Sequence, residues 1–189
     1  VKACVEAGFT SIMIDASSLP FEENVEEVIR AVRYCHFYGI PVEAELGALQ
    51  GKEEDIVNES ETHTDPAMVE DFVTTTGCDL LAVAVGNVHG LDLEPRVDLD
   101  LLKTIADISP VPLVLHGGSG IPFDVIQKAR KCGLLKINYG SDLRKEFIRT
   151  FGEAYECTAH KAHDVISLSM KAVENVSAKA SELVRIINA

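Results

Sequence analysis

The sequence predicts an α/β fold in which a parallel sheet is covered by helices. Strand-like apolar runs alternate along the chain with segments of helical periodicity. Two of these runs, LAVAV at 81–85 and PLVL at 112–115, are continuously apolar rather than alternating, which is typical of strands buried on both faces of a parallel sheet. Five strands are expected, at 11–15, 41–45, 80–85, 112–115 and 134–138.

A helix is expected after each predicted strand. Segment 24–37 carries apolar residues at helical spacing, and Gly39 follows it as a stop signal. Asp65 then provides an N-cap before Pro66, and Gly77 ends that helix. Further helices are expected at 98–108, 122–132 and 141–151, so the alternation predicts five βα units.

The size of the chain indicates a single domain, 1–189, that is too short for a complete eight-stranded barrel. With 189 residues and 47% apolar content, the chain can bury one sizeable core. A closed eight-stranded βα barrel typically takes ~250 residues. Residues 1–8 read as the end of a helix leading into the first strand, and no Met begins the chain. Two interpretations therefore stay open: a preceding segment is missing, or the chain is an unusual partial barrel.

Two segments depart from the βα rhythm. Residues 47–64 are acidic and glycine-containing and have no apolar periodicity, which predicts a mobile active-site loop. Residues 158–188 carry apolar positions spaced by threes and fours, which predicts a long C-terminal helix. The apolar face of that helix packs either on its own domain or on another subunit.

Charge and cysteine content exclude several kinds of partner. The formal net charge of −13 argues against nucleic acid and anionic membrane surfaces. The five cysteines are scattered and form no C-x-x-C pair, so neither a disulfide framework nor a structural zinc cluster is indicated. No apolar run approaches the ~18 residues of a membrane span, and the N-terminus lacks the pattern of a signal peptide. We expect a cytoplasmic protein that acts on a small molecule.

Two histidines directly follow buried strands. His89 lies in G-N-V-H-G, and His116 lies in L-H-G-G-S-G. Neutral imidazole is the commonest protein ligand of divalent transition metals, and two of them at neighbouring strand ends can share one ion. A lone histidine at such a place is more often a structural hydrogen-bonding residue, so the pattern favours a metal only because there are two.

A glycine-rich turn before a predicted helix is a candidate anion site. The amides of Gly117 and Gly118 and the Ser119 hydroxyl can converge on a phosphate at the helix N-terminus. In βα barrels the loops after the last two strands are the usual phosphate site. The adjacent rim offers Asn138, Gly140 and Ser141, although that segment taken singly also fits a plain turn with Ser141 or Asp142 capping a helix.

Three carboxylates belong to the first two predicted strands. Asp15 ends the first strand, and Glu43 and Glu45 alternate along the second, so both glutamates face the same side. Buried carboxylates are costly unless they are paired or bound to a metal. Glu45 in particular, and Glu43 to a lesser degree, are therefore candidate functional acids.

Six motifs in order resemble the class II, zinc-dependent fructose-bisphosphate and tagatose-bisphosphate aldolases. They are GFTSIMIDAS, LPFEENVE, VEAELG with a downstream G-x-E-E-D, VAVGNVHG, LVLHGGSG and KINYGSDLR. The resemblance implies a TIM barrel, of which this chain holds about the last five βα units without the first three strands. It also implies that the barrel reversibly cleaves a ketose 1,6-bisphosphate into dihydroxyacetone phosphate and an aldehyde, glyceraldehyde 3-phosphate. It further implies a Zn²⁺ Lewis acid, a sugar-phosphate substrate and a homo-oligomer.

By motif position, the resemblance implies specific roles. His89 and His116 correspond to two of three catalytic zinc ligands, and Asp15 and Glu45 to carboxylates of an alternative, more buried metal position. Glu53 corresponds to an acidic residue implicated in proton transfer. A substrate phosphate, with a monovalent cation near the same loops, would be bound at Gly90, Gly117, Gly118, Ser119, Asn138, Gly140 and Ser141. Gly140 departs from the family, in which fructose-bisphosphate enzymes often carry Asp.

A second departure leaves other functions open. In this family an Asp-His pair supplies the third zinc histidine and the proton-transferring aspartate, and 1–189 has no match to it upstream of SIMIDAS. We therefore expect this chain alone to be inactive. The main alternative is a non-catalytic aldolase-like subunit or truncated homologue that binds a phosphorylated ligand. A metal-dependent hydrolase is less supported, because no further base is placed near His116. Fructose and tagatose bisphosphates are not distinguished.

Overall fold

A computed structural model describes residues 1–49, 51–53, 56–58, 63–90, 93–158 and 164–188. The strands are β1 (Ile12–Ile14), β2 (Val42–Leu46), β3 (Gly51–Glu53), β4 (Ile56–Asn58), β5 (Leu80–Val83), β6 (Leu113–Leu115) and β7 (Leu134–Ile137). The helices are α1 (Lys2–Glu6), α2 (Phe21–Phe37), α3 (Pro66–Thr76), α4 (Leu99–Ile108), α5 (Phe123–Lys131), α6 (Ser141–Cys157) and α7 (Val165–Ile187).

Five parallel strands form the central sheet, in the order β1-β2-β5-β6-β7. All five predicted strands are present, and helices connect them, which confirms the predicted α/β class. Because all strands run the same way, their carboxyl ends meet at one edge of the sheet. That edge carries the residues singled out by the motifs.

The two faces of the sheet differ in chemistry. One face packs Leu81, Leu113 and Leu115 against the inner sides of the helices, in a core that includes Phe72 and Ile126. Side chains alternate along a strand, so the intervening residues point to the opposite face. This second face, called the inner face below, carries Glu43, Glu45, Ala82, Val114, His116 and Lys136.

Local capping explains where several helices begin and end. The Asp65 side chain accepts a hydrogen bond from the amide of Ala67 at the start of α3. Gly77 ends that helix in the left-handed conformation, at φ 70°, where glycine is favoured. Asp98 caps α4 by accepting hydrogen bonds from two backbone amides.

Two predicted segments differ from the structure. Segment 47–64, expected as a loop, contains an antiparallel pair, β3 with β4. The C-terminal helix α7 begins at Val165 rather than near 158, because α6 continues to Cys157 and the Asp164 side chain caps α7. Residues 159–163 lie outside the described part of the chain.

The C-terminal helix packs on its own domain along one side. Ala172 and Leu183 are buried, and Asn175 donates a hydrogen bond to the Thr150 hydroxyl of α6 at 3.0 Å. Its other side exposes apolar side chains, among them Ile166, Met170 and Val173. In the described ranges, no helix is both long enough and apolar enough to traverse a bilayer.

Candidate active site

The two motif histidines lie side by side at the carboxyl edge of the sheet. His116 directly follows β6, and His89 lies in the loop after β5. Their ring centroids are 6.1 Å apart, and the ring planes differ by 25°. Neighbouring parallel strands thus bring together two imidazoles that are 27 residues apart in sequence.

Close backbone packing holds the two histidine loops together. Gly117 has φ 63°, and a Cβ placed on it would lie 1.9 Å from the Val88 carbonyl oxygen. The fully buried Asn87 accepts a hydrogen bond from the Val85 amide at 2.9 Å and donates to the His116 carbonyl oxygen at 3.0 Å. Sequence reasoning missed Asn87, although a polar residue between a buried strand and a histidine was an available signal.

Both glutamates of β2 lie buried against His116. Glu43 and Glu45 are each 2% exposed, which agrees with their predicted common face. His116 Nε2 is 2.8 Å from Glu43 Oε1, and its Nδ1 is 3.3 Å from Glu45 Oε2. The other carboxylate oxygen of Glu43, Oε2, accepts a hydrogen bond from the Lys136 ammonium of β7 at 2.6 Å. The sequence analysis ranked Glu43 below Glu45 and gave Lys136 no role.

The charge of Glu43 is favoured by its partners. Burial raises the pKa of this carboxyl, but the hydrogen bonds to His116 and Lys136 outweigh burial and hold the pKa below its ordinary value. Glu43 is therefore an ionised acceptor near neutral pH. The inner face thus contains a connected row of polar side chains, from Lys136 of β7 through Glu43 of β2 to His116 after β6.

The glycine-rich turn is joined to the next strand and helix. Gly118 donates its amide to the Asn138 carbonyl oxygen, and the Asn138 amide donates to Leu115, both at 2.9 Å. The Ser119 hydroxyl accepts a hydrogen bond from the Asp142 amide at 3.0 Å, in the first turn of α6. Ser119 therefore caps the N-terminus of α6 from another loop, because the N-cap residue Gly140 has no side chain that could accept a hydrogen bond.

The remaining predicted site residues are less closely grouped. Asp15 is exposed, and its carboxylate accepts hydrogen bonds from the Ser17 amide and hydroxyl at 2.9 and 2.7 Å. Gly90 follows His89 with φ 89°. Gly140 is exposed, and Ser141 is the first residue of α6. Glu53 belongs to β3, but its side chain lies outside the described part of the chain.

The donor chemistry at this edge fits zinc in part. Imidazole nitrogen and carboxylate oxygen are zinc ligands, and a catalytic site usually uses three protein ligands. Over the described ranges, no three His, Cys, Asp or Glu side chains are arranged as a set that could hold a metal ion. His89 and His116 therefore fit as two ligands of a site that needs a further donor.

Sequence comparison identifies close relatives. The model of the class-II fructose-bisphosphate aldolase family matches residues 1–189. The fructose-bisphosphate aldolase of Geobacillus stearothermophilus is 46% identical over 153 residues, which are 80% of this chain and 53% of that protein. The enzyme of the same name from Staphylococcus epidermidis is 46% identical over 142 residues, which are 75% of this chain and 50% of that protein. The chain thus spans about half the length of the curated relatives it matches.

Solved structures show the same architecture. The YdjI aldolase from Escherichia coli K12 superposes with a TM-score of 0.83 at 35% identity, over 98% of this chain and 64% of that chain. A putative fructose-1,6-bisphosphate aldolase from Coccidioides immitis gives a TM-score of 0.87 at 29% identity, over 98% and 65%. These matches confirm the predicted fold, part of a TIM barrel with a C-terminal helix. The chain belongs to the class-II fructose-bisphosphate aldolase family.

Proposed function

We propose that this chain carries the metal and phosphate sites of an enzyme that reversibly cleaves fructose 1,6-bisphosphate into dihydroxyacetone phosphate and glyceraldehyde 3-phosphate. The observation that carries the proposal is the pair of imidazoles 6.1 Å apart at the strand edge that also bears the glycine-rich turn. Family membership supports fructose bisphosphate as the substrate. Tagatose 1,6-bisphosphate is the second substrate to test.

In this proposal His89 and His116 hold a divalent zinc ion. When bound, zinc supplies a Lewis acid that polarises the ketone oxygen of the substrate. Asn87 fixes the backbone carbonyl of His116, and Gly117 permits the close approach of the two loops, so both rings are held in place before binding. Glu45, beside His116 Nδ1, is assigned with Asp15 to the alternative metal position, and Glu53 to proton transfer.

The phosphate group of the substrate is assigned to the glycine-rich turn and the rim beside it. In a chain with a net charge of −13, an anion needs local donors, which backbone amides and hydroxyls provide. The residues assigned are Gly90, Gly117, Gly118, Ser119, Asn138, Gly140 and Ser141. Gly118 lines the turn without donating to the phosphate, because its amide already donates to the Asn138 carbonyl oxygen. A monovalent cation near these loops would offset part of the phosphate charge. We further propose a homo-oligomer, and a reducing cytoplasm in which all five cysteines remain free, as they are here.

The test measures binding of dihydroxyacetone phosphate to the zinc-loaded chain by titration calorimetry. We expect binding that requires zinc, is lost in His116→Ala, and is weakened in Ser119→Ala without loss of bound metal. His36→Ala is the matched control, because His36 pairs with Asp79 away from this edge. Binding that is unaffected by both His116→Ala and Ser119→Ala would overturn the proposal.

Catalysis is tested separately, with fructose and tagatose 1,6-bisphosphates and a dehydrogenase that reports the triose product. We expect no turnover from 1–189, because these residues contain no match to the family's Asp-His pair. Positioned acid–base groups typically contribute ~10²–10⁴-fold each. Turnover comparable to that of an intact relative would show that the catalytic groups are located elsewhere.

A non-catalytic, ligand-binding role is the second candidate. It is favoured by one observation, that the described residues contain no set of three side chains that could hold a metal. This candidate predicts that dihydroxyacetone phosphate binds equally well with and without zinc. The calorimetric comparison therefore distinguishes the two functions.

A further inference from the structure

Glu43 makes two side-chain contacts inside the fold that the proposed function does not use. One carboxylate oxygen contacts His116 Nε2 at 2.8 Å, and the other contacts the Lys136 ammonium at 2.6 Å. The carboxylate is 2% exposed, whereas the Lys136 side chain is 45% exposed. The three residues come from β2, β6 and β7, so only the folded sheet brings them together.

Stability alone does not account for this group of charges. Replacing a buried ion pair by well-packed apolar residues is often neutral or stabilising. The neighbouring inner-face positions Ala82 and Val114 are apolar, as a sheet interior favours. The orientation of the contacts indicates a functional role, because, of the two ring nitrogens of the proposed metal ligand His116, Glu43 contacts Nε2.

The contact determines which nitrogen of His116 carries the proton. An ionised carboxylate only accepts hydrogen bonds, so a neutral imidazole facing Glu43 must hold its proton on Nε2. The lone pair is then on Nδ1, which faces Glu45 Oε2 at 3.3 Å. The Nδ1 lone pair and the Glu45 oxygen are both electron donors, so a cation could bind next to the two atoms. Metal-binding histidines commonly donate their second nitrogen to a carboxylate in this way.

We propose that Glu43, anchored by Lys136, is a positioning residue that keeps His116 in the Nε2–H tautomer and thereby presents Nδ1 to a divalent metal ion. This inference rests on the proposed metal-binding role of His116. Lys136 contributes by holding the second oxygen of Glu43, which fixes the carboxylate and with it the plane of the ring.

Glu43→Gln distinguishes this role from simple packing. Lys136 can only donate, so it takes the amide oxygen of the new side chain and leaves the NH₂ group facing His116 Nε2. That donor stabilises the opposite tautomer, with the proton on Nδ1, where the metal would bind. In the double variant Glu43→Gln/Lys136→Met, the amide is free to turn its oxygen back to His116. The proposal therefore predicts that the second substitution rescues the first.

The experiment measures zinc affinity by competition with a chromophoric chelator, and the His116 tautomer by long-range ¹H–¹⁵N NMR of the metal-free chain. We expect Glu43→Gln to weaken zinc binding by about 10–100-fold and to move the proton to Nδ1, and the double variant to recover part of both. Asp124→Asn is the matched control, since it removes a carboxylate from a surface lysine pair on α5. It should change neither readout.

Each outcome bears on a different claim. If wild type binds zinc and Glu43→Gln binds it equally well, the positioning role is wrong and the proposed function stands. If wild type binds no zinc, the metal-binding part of the proposed function is wrong, and this inference falls with it. Should Glu43→Gln fail to fold, the wild-type spectrum decides: a proton on His116 Nε2 alone supports the proposal, and a proton on Nδ1, with or without one on Nε2, overturns it.

Discussion

At the scale of single residues, Gly117 controls how closely the two histidine loops approach. Its φ of 63° is strained for other residues, and a Cβ there would lie 1.9 Å from a backbone oxygen. Gly39→Ala is a matched control, because Gly39 has φ 70° but open space around it. We expect Gly39→Ala to lower the free energy of unfolding by about 1–2 kcal/mol, and Gly117→Ala by a further ~1–3 kcal/mol. Urea denaturation checks this, and equal losses would contradict it.

Tyr139, also a single residue of the site's rim, predicts a pH dependence. Its hydroxyl is buried without a hydrogen-bond partner among the described residues. Burial, with the charge of Asp142, raises the pKa of Tyr139 to about 12. A pKa raised above its unfolded value of about 10 contributes stability below pH 10 that is lost as the pH rises towards 12.

We therefore expect roughly 1.4 kcal/mol of stability to be lost between pH 8 and pH 11 through Tyr139. The measurement is denaturation of wild type and Tyr139→Phe at both pH values. Tyr139→Phe should show a smaller loss by that amount, since phenylalanine does not titrate. A loss of the same size in both proteins would show that the hydroxyl ionises normally in the folded state.

At the scale of elements, the start of α4 depends on one side chain. Asp98 accepts hydrogen bonds from the amides of Asp100 at 3.0 Å and Leu101 at 2.9 Å. Leu102 and Ile105 of this helix are completely buried in the core. Fraying of the first turn would therefore also loosen the packing of these two side chains. We expect Asp98→Ala to lower the free energy of unfolding by about 0.5–2 kcal/mol and Asp98→Asn by less, because asparagine keeps the acceptor. Equal effects in a urea titration would assign the loss to charge rather than capping.

Elements were predictable where local signals were strong. The five central strands follow from short apolar runs, and α3 begins at the expected Asp65 cap. The pair β3 and β4 was missed because its short strands lie in a polar, acidic segment without alternation. The break before α7 was missed because apolar spacing continues across it, while Asp164 caps the new helix.

At the scale of the whole molecule, contacts between distant segments complete the candidate site. The motifs identified His89, His116 and the glycine-rich turn, because these are local patterns. Lys136 was missed because its contact with Glu43 spans 93 positions in sequence. His36, in the last turn of α2, likewise bonds to Asp79, 43 positions away. Such pairings depend on strand order, which local periodicity does not determine.

A ligand held between separate βα units should stabilise the entire fold. If His89 and His116 bind zinc as proposed, the ion would favour the native state over the unfolded chain by mass action, by ~2.7 kcal/mol at a hundredfold excess over Kd. For a domain of this size that raises Tm by roughly 5–10 °C. Differential scanning calorimetry should show this shift in wild type and in His36→Gln, but not in His116→Gln, and a chelator should reverse it. If zinc raises Tm equally in His116→Gln, the metal binds elsewhere, because the remaining imidazole at this edge could not hold it alone.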